Sequence, residues 1–564
     1  MTQIPSVPLL DVADLCRMFE ESESASLTAR KNAERDRDYV DGKQLSSEEL
    51  AEFKRRGQPP VIDNRIKTKV DYLVGLEKQQ RVKPKAFPRT PRHQDDADAA
   101  TESLRYVIET EDYEAKRSVV WRNMLVEGVG GFRVYIEPSR TAPSRDAISP
   151  LAPGEVEYDI CLQRIAWDRL FFDPHAAEAD FSDAAYVGIV TWMDFDDALA
   201  MYPEAKDVLD TTLASAPSET YDDKPKFSHW ADAKRKRVRI CQIWVRRAGQ
   251  WYFAEYTSGG ILKAGPSPYR TDRGESDCEL ILQSAYVDRD NNRYGLVREM
   301  VTLQDEVNRR RSKSLHLLNT AQVVYEAGAV DDIETFRKEV VRADATLEVA
   351  PGALRNQQIQ FRTRDDLAAT HLQLLQDARN SLDLKGPNAT EMGDRTSGDT
   401  PASGRAIMAS QQGGMIQIGD LLDHLRHLDN RVFRCVWARV RQFWTAEKWV
   451  RVTDDERNLK WLGLNLDAYA MAQLQMHAQA FPEAAQAALA GATGPLAELD
   501  CDIIIDEAPD SLTPQIEQFQ ALVELKKFDS AGEIPFRAIV RAMPNLKDKQ
   551  MFLKDMEQQA AQRA

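Results

Sequence analysis

GLVREMVTLQDEVNRRRSKSLHLL, residues 295–318, is the stretch whose reading decides the fold. Leu296, Met300, Leu303 and Val307 recur at intervals of three and four, so they share one face of a helix running from Gly295 to Leu318. Arg309, Arg310, Arg311 and Lys313 form the densest basic run on it. Consecutive helical residues splay around the axis, so these four cannot all meet one partner. One reading gives them salt bridges with Asp305, Glu306 and neighbouring helices. The competing reading turns one or two of Arg309, Arg310 and Lys313 toward DNA.

Upstream the character is different. Residues 130–290 read as mainly β, with strands at Phe132–Ile136, Val156–Ile165 and Ala184–Met193. A meander covers Arg237–Lys263, with turns at Ala248-Gly249 and Gly259-Gly260. Asp194 is placed to cap a short helix before Pro203, and the polar residues 208–235 read as a surface insertion. Before the β region, helices are expected within 1–60, over Ile62–Leu73 and ending near Pro84, and as one span from Asp95 to Glu127 stopped by Gly128-Val129-Gly130-Gly131.

Downstream, residues 321–362 carry short strand-like runs, and Asp365–Leu384 reads as a second helix. Residues 385–402, KGPNATEMGDRTSGDTPA, read as a loop. Ser403–Lys448 reads as one helix of roughly 65 Å. Gly413, Gly414 and Gly419 are expected to bend it near its start. Strand-like stretches at Trp449–Val452 and Cys501–Ile505 precede terminal helices over 512–564, and no internal repeat is found. The class is α+β.

Composition narrows the function. With 564 residues, three or four domains of roughly 150 residues are expected. Lys and Arg number 74 against 90 Asp and Glu, a net charge of -16, unlike a protein that grips phosphates tightly. Six cysteines without a C-x-x-C pair suit reduced thiols and give no zinc pattern. The sequence MTQIPSVPLLDVADL lacks a basic region before an apolar core, so no signal peptide is expected, and no run reaches the ~20 apolar residues of a membrane span.

Catalytic patterns fail one by one. Gly42-Lys43 lacks the first glycine of a P-loop, because Arg37 stands there. Ile503-Ile504-Ile505-Asp506-Glu507 is similar to an ATPase metal strand, but without a phosphate cradle the acid pair has no nucleotide to act on. Gly128-Val129-Gly130 follows a helix and precedes a strand, the wrong order for a dinucleotide fingerprint. Asp420, Asp423, His424 and His427 lie near one helical face, where a surface or subunit contact is favoured over a metal. Asp168, Asp173 and Asp183 offer carboxylates that a nuclease would need to converge on one metal. No cofactor or metal is expected, nor an enzyme.

The order of elements resembles the portal proteins of tailed bacteriophages, and is most similar to those of short-tailed (podovirus) phages. Five stretches carry the resemblance. They are Val61-Ile62-Asp63-Asn64 leading to Leu73-Val74-Gly75, Gln79-Gln80-Arg81 and Pro84; Trp167-Asp168-Arg169-Leu170-Phe171-Phe172-Asp173-Pro174; Arg293-Tyr294-Gly295-Leu296-Val297-Arg298 with Gln304-Asp305-Glu306-Val307-Asn308; Ser403-Gly404-Arg405-Ala406; and Asp502–Asp510 with Thr513-Pro514. They touch about residues 60 to 550, and their ordered series is more specific than any one of them.

The resemblance implies a portal-type subunit. After an N-terminal helical segment (1–60) would come a β-rich wing (61–290, returning at 449–510). Paired stem helices (291–320 and 363–384) would flank a mixed α/β clip (321–362). A tunnel loop (385–402), a long bent spine helix (403–448) and a helical crown (511–564) would complete it. It implies a ring of twelve at one capsid vertex, assembled in the host bacterial cytoplasm with scaffolding and capsid proteins. The ring would dock terminase, then tail adaptor proteins, and pass double-stranded DNA inward on packaging and outward on ejection. Lys385, Arg395 and Arg405 join Arg309, Arg310 and Lys313 as residues expected to steady DNA, beside Gly386, Pro387, Asn388, Gly393 and Gly398 of the loop. The longest members continue into a helical barrel beyond the crown, and none of its roles is carried over to a chain read as far as Ala564. The alternatives are a terminase-like ATPase or nuclease and another head-completion protein.

Overall fold

The structure, a computed structural model, describes residues 10–139, 158–215, 230–387, 418–453, 459–466 and 501–506. Residues 57, 59, 80–82, 90–96, 320–321, 341–345, 363–364 and 446–447 are left out of these spans, and residues 519, 522–526 and 539 add to them. The expected C-terminal helices therefore fall almost wholly outside the described residues, as do the loop residues from Asn388 to Ala402.

The chain begins with α1 (Val12–Val40), α2 (Ser47–Arg55) and α3 (Arg65–Gln79), then β1 (Lys83–Pro88). Ser46 and Glu49 form a reciprocal cap on α2. The helix expected over 95–127 is two helices, α4 (Ala97–Thr110) and α5 (Tyr113–Val126). Asp112 breaks them apart in a left-handed conformation with φ of 48°, which Asp tolerates better than most residues. The Glu111 carboxylate is thereby free to accept from Leu162 N–H at 2.9 Å and from Lys116 at 3.0 Å, docking the break on the neighbouring sheet.

The β region follows as β2 (Val129–Pro138), β3 (Tyr158–Arg164), β4 (Leu170–Phe172), β5 (Tyr186–Asp194), β6 (Ala231–Asp232), β7 (Arg237–Arg247), β8 (Gln250–Thr257), β9 (Gly260–Pro266) and β10 (Leu280–Ser284). One sheet has the order β4-β5-β7-β8-β9 with β6 on β7; another is β10-β2-β3. The expected strands and meander are present. Residues 208–235 are less of an insertion than expected. Helix α6 (Phe195–Met201) and helix α7 (Lys206–Ala214) lie between β5 and β6, and Leu209, Thr212 and Ala231 are buried. Asp194 stands at the start of α6 but does not cap it with its side chain; it pairs with Arg237 at 2.8 Å.

The glycines at 128–131 do two jobs. Gly128 ends the helical region at φ of 91°, whereas Gly130 and Gly131 lie inside β2. A Cβ on Gly128 would sit 2.3 Å from the Tyr294 backbone, and one on Gly295 would sit 2.4 Å from the Leu125 carbonyl oxygen. Two chain segments cross there at backbone distance, which only glycine permits.

Past the short pair β11 (Tyr286–Val287) and β12 (Arg293–Tyr294), the helix expected from Gly295 begins as a tight 3-10 turn, Leu296–Glu299. It becomes α8 only at Val301–Asn319. The strand-like stretch after it contains β13 (Gln322–Tyr325), helix α9 (Ile333–Glu339) and β14 (Ile359–Arg362), with β13 and β14 antiparallel. Helix α10 (Asp365–Asp383) is as expected to within a residue. Val307 of α8 packs with Leu375 and Ala378 of α10. Lys385, past the end of α10, reaches Glu299, before the start of α8. The two helices therefore run antiparallel, with the β13–β14 module at their far end.

The last long helix, α11 (Gly419–Phe443), stops short of Lys448. Trp444 leaves the helical region at ψ of 78° and is buried. Its indole N–H donates to the Tyr158 carbonyl at 3.1 Å, and its own carbonyl accepts from Asn465 at 2.8 Å. These bonds outcompete another helical turn, and Lys448 opens β15 (Lys448–Thr453), paired with β16 (Leu459–Leu464). The main core lies where Leu421, Leu425, Leu428, Val432, Val436 and Val440 of α11 meet α4, α5 and β2. Finally β17 (Cys501–Asp506) pairs antiparallel with β1, Ala86 opposite Ile503. That strand at 83–88 was missed, because Pro84 reads as a helix stop; in a two-stranded ribbon its missing N–H faces outward.

Candidate functional site

The α8–α10 pair carries Arg309, Arg310, Arg311 and Lys313 along α8, and Lys385 just past the end of α10. It is organised by residues 61–65, where the helix expected from Ile62 begins only at Arg65. Residues 61–65 run extended along α8. Val61 N–H donates to Ser312 Oγ at 3.0 Å, Asp63 N–H to Asn308 Oδ1 at 3.0 Å, and Arg65 N–H to Gln304 Oε1 at 3.2 Å. The match is metric: four extended residues cover roughly 13 Å and eight helical ones roughly 12 Å. Gln304 also donates to the Asp63 carbonyl at 2.7 Å, and Asn308 to Gln44 Oε1 at 2.7 Å. The signal was present in residues 295–318, where Gln304, Asn308 and Ser312 recur every four residues and all are buried.

Asp63 is the ionic centre of this segment. Arg379 of α10 reaches its carboxylate at 2.7 Å and Arg311 of α8 at 2.9 Å, with Arg65 at 3.7 Å. Burial alone would raise the Asp63 carboxyl, but the Arg379 hydrogen bond and the charges of Arg379, Arg311 and Arg65 hold it below the usual carboxylate value.

The basic run does splay. Arg309 pairs with Glu49 of α2 at 3.5 Å, Arg310 with Glu306 one turn back at 2.9 Å, and Arg311 with Asp63. Lys313 is exposed. Asp305 is not an arginine partner; it accepts from the Tyr39 hydroxyl at 2.7 Å, and burial followed by that carboxylate pushes the Tyr39 phenol up. Arg309 is 67% exposed, so its pair contributes little to stability and its charge stays available.

Lys385 stands half-exposed at the end of α10 and pairs with Glu299 at 3.1 Å. Gly386 follows at φ of 74°, and Gly386 and Pro387 are buried. Lys69 of α3 lies beneath this turn with 1% of its side chain exposed. Its ammonium donates to the carbonyls of Pro387 at 2.7 Å, Lys385 at 3.0 Å and Asp383 at 3.4 Å. Of the other singled-out positions, Arg395, Arg405, Asn388, Gly393, Gly398, Gly413 and Gly414 lie outside the described residues. Gly419 is the first residue of α11.

Two turns along α3, a buried ionic cluster joins it to α5 and α11. Arg117 pairs with Glu77 and, at 2.8 Å, with Asp429; Tyr113 donates to Asp429 at 2.6 Å and Ser118 to Glu77 at 2.7 Å. Burial would lower the Arg117 guanidinium, but Asp429 and then Glu77 more than reverse it. Burial and the Asp429 charge push the Tyr113 phenol well up.

The other polar groups weighed in the sequence are engaged separately. His424 Nδ1 lies 3.0 Å from the Ala285 carbonyl, His427 contacts Asp180 at 3.4 Å, and Asp423 pairs with Arg426. Asp173 accepts from the backbone N–H groups of His175 and Ala185, and Asp183 from Ala177 and Glu178. These carboxylates hold turns rather than converge. Among the described residues no helix is long and apolar enough to cross a membrane.

Comparison with known proteins bears on the whole chain. A curated relative described as a portal protein, from Helicobacter pylori bacteriophage KHP30, is 20% identical over 458 residues, covering 81% of this chain and 70% of the relative. A family model described as phage P22-like portal protein matches residues 16–564. With a match of that extent, the chain belongs to the P22-like family of phage portal proteins.

Proposed function

We propose that this portal protein is a structural subunit of a closed ring of twelve copies at one vertex of a phage head, and that double-stranded DNA passes through the ring during packaging and ejection. The observation that carries this reading is the family match over residues 16–564. Each subunit would bury one surface against a different surface of its neighbour, as a heterologous closed ring requires. Terminase would dock during packaging, and tail adaptor proteins afterwards. Within the subunit, α8 and α10 serve as the stem pair and residues 321–362 as the clip. Residues 385–402 form the tunnel loop, 403–448 the spine, 61–290 with 449–510 the wing, and 511–564 the crown. Lys385, Arg395 and Arg405 face the DNA, with Arg309, Arg310 and Lys313 in support.

Particle mass with images of the same fraction tests the ring. The monomer is 63.9 kDa, so twelve copies give roughly 770 kDa, seen as rings with a central hole. A persistent monomer that hydrolysed ATP or cut DNA would overturn the reading. Alanine at Lys385, Arg395 and Arg405 is expected to impair packaging or DNA retention while rings still form. Normal packaging would remove these residues from the channel.

A further inference from the structure

We infer that Lys69 is a positioning residue for DNA passage: its buried ammonium sets the place of the turn at 383–387 and with it the side chain of Lys385. The inference rests on the channel role proposed for Lys385.

A lysine with 1% of its side chain exposed is costly unless its three protons are all used. Here they meet three backbone carbonyls at alternate residues, Asp383, Lys385 and Pro387. Carbonyls at the end of a helix have no partner within it, and a cation there also meets the negative end of the helix dipole. Lys69 is therefore the C-terminal cap of α10, supplied by another helix. The cap reaches beyond the helix to Pro387, so it also fixes the direction in which the chain leaves. Asp383 reinforces it, its carboxylate lying 3.9 Å from Lys69 and 3.5 Å from Arg65.

The arrangement has a mechanical consequence. Glu77 lies two turns from Lys69 on α3 and is tied through Arg117 to Asp429 of α11. One rigid helix thus holds the end of α10 at Lys69 and the middle of α11 at Glu77. A shift of α11 against α10 must strain α3 or release one of these contacts, so Lys385 cannot move independently of α11 while Lys69 is seated.

Hydrogen exchange on the full-length protein reads the cap directly. Lys69→Met keeps the length of the side chain and removes its three donors. The amides of Leu384 and Lys385, which bond to Asn380 and Leu382, are expected to exchange about tenfold faster, while α5 stays as protected as before. Unchanged exchange at these two amides overturns the inference.

Should Lys69→Met fail to fold, Asp383→Asn removes the charge that reinforces Lys69 and faces Arg65, at a side chain 26% exposed, and exchange is expected to rise about threefold. No rise there overturns it equally. Packaging by the assembled rings separates this inference from the reading beneath it. Loss in both Lys69→Met and Lys385→Ala supports both. Loss in Lys385→Ala alone, with the turn loosened in Lys69→Met, sinks the positioning role. Loss in neither sinks the channel role of Lys385, and the positioning role with it, leaving only a helix cap.

Discussion

At the scale of single residues, Glu127 and Arg117 are charged groups held out of water. Glu127 has no side-chain exposure and pairs with Arg37 at 2.5 Å, and burial raises its carboxyl to about 7. A folded-state value above the unfolded one means that the folded protein holds its proton more tightly. Stability from this group is therefore fully present below about pH 4.5 and is lost as pH rises through about 7, by roughly 3 kcal/mol. Glu127→Gln should remove that component. Melting temperatures of the variant and the parent, measured from pH 5 to pH 8, should diverge most at the alkaline end, with the variant more stable there. A parallel pair of curves would show that Glu127 is ionised throughout. Arg117 poses the opposite case. Arg117→Ala leaves Glu77 and Asp429 facing each other out of water and should cost about 3–5 kcal/mol in urea unfolding. A cost under about 1 kcal/mol would mean that water replaces the guanidinium.

At the scale of elements, the extended segment 61–65 behaves as a strand whose partner is the side-chain row of a helix. Asn308 is its middle rung, accepting from Asp63 N–H and donating to Gln44. Asn308→Leu should destabilise the protein by about 2 kcal/mol through two unsatisfied buried groups. It should also abolish the exchange protection of the Asp63 amide; retained protection would place that hydrogen bond elsewhere. The sequence showed α10 and the meander clearly, because their periodicity is strong and their breaks are glycines and prolines. It showed the splay of Arg309, Arg310 and Arg311, which follows from helix geometry alone. Other features depend on partners far away in the chain. Asp112 breaks a helix because Glu111 docks on Leu162, and α11 stops at Phe443 because Trp444 bonds to Tyr158 and Asn465. The role of Lys69 was hidden for the same reason: a lone lysine in a helix reads as solvated until its carbonyl acceptors, more than 300 residues away, are brought to it.

At the scale of the whole molecule, an early and a late segment of the described chain are stitched together. Strand β1 has β17 as its partner, and beside them Arg89 holds Asp502, 413 residues away, while Ala86 and Ile503 face each other in the buried core. Ile503→Asp should open this ribbon and cost about 3 kcal/mol or more. Protease cleavage between α3 and α4 should appear in the variant and not in the parent; equal resistance would show that β1 is held by α4 alone. The same pairing sets a clock for biosynthesis. A ribosome adding roughly 5–20 residues per second needs on the order of 20–80 s to travel from β1 to β17. Through that interval every nascent copy on a polysome carries an unfinished edge beside identical neighbours. Pro84 and Pro88 lack an amide proton on the opposite edge of β1, the side on which Ala86 N–H donates to Thr101, so they blunt only the edge that β17 never meets. The edge that awaits β17 keeps its donors, and stays open to a neighbouring nascent chain until β17 arrives.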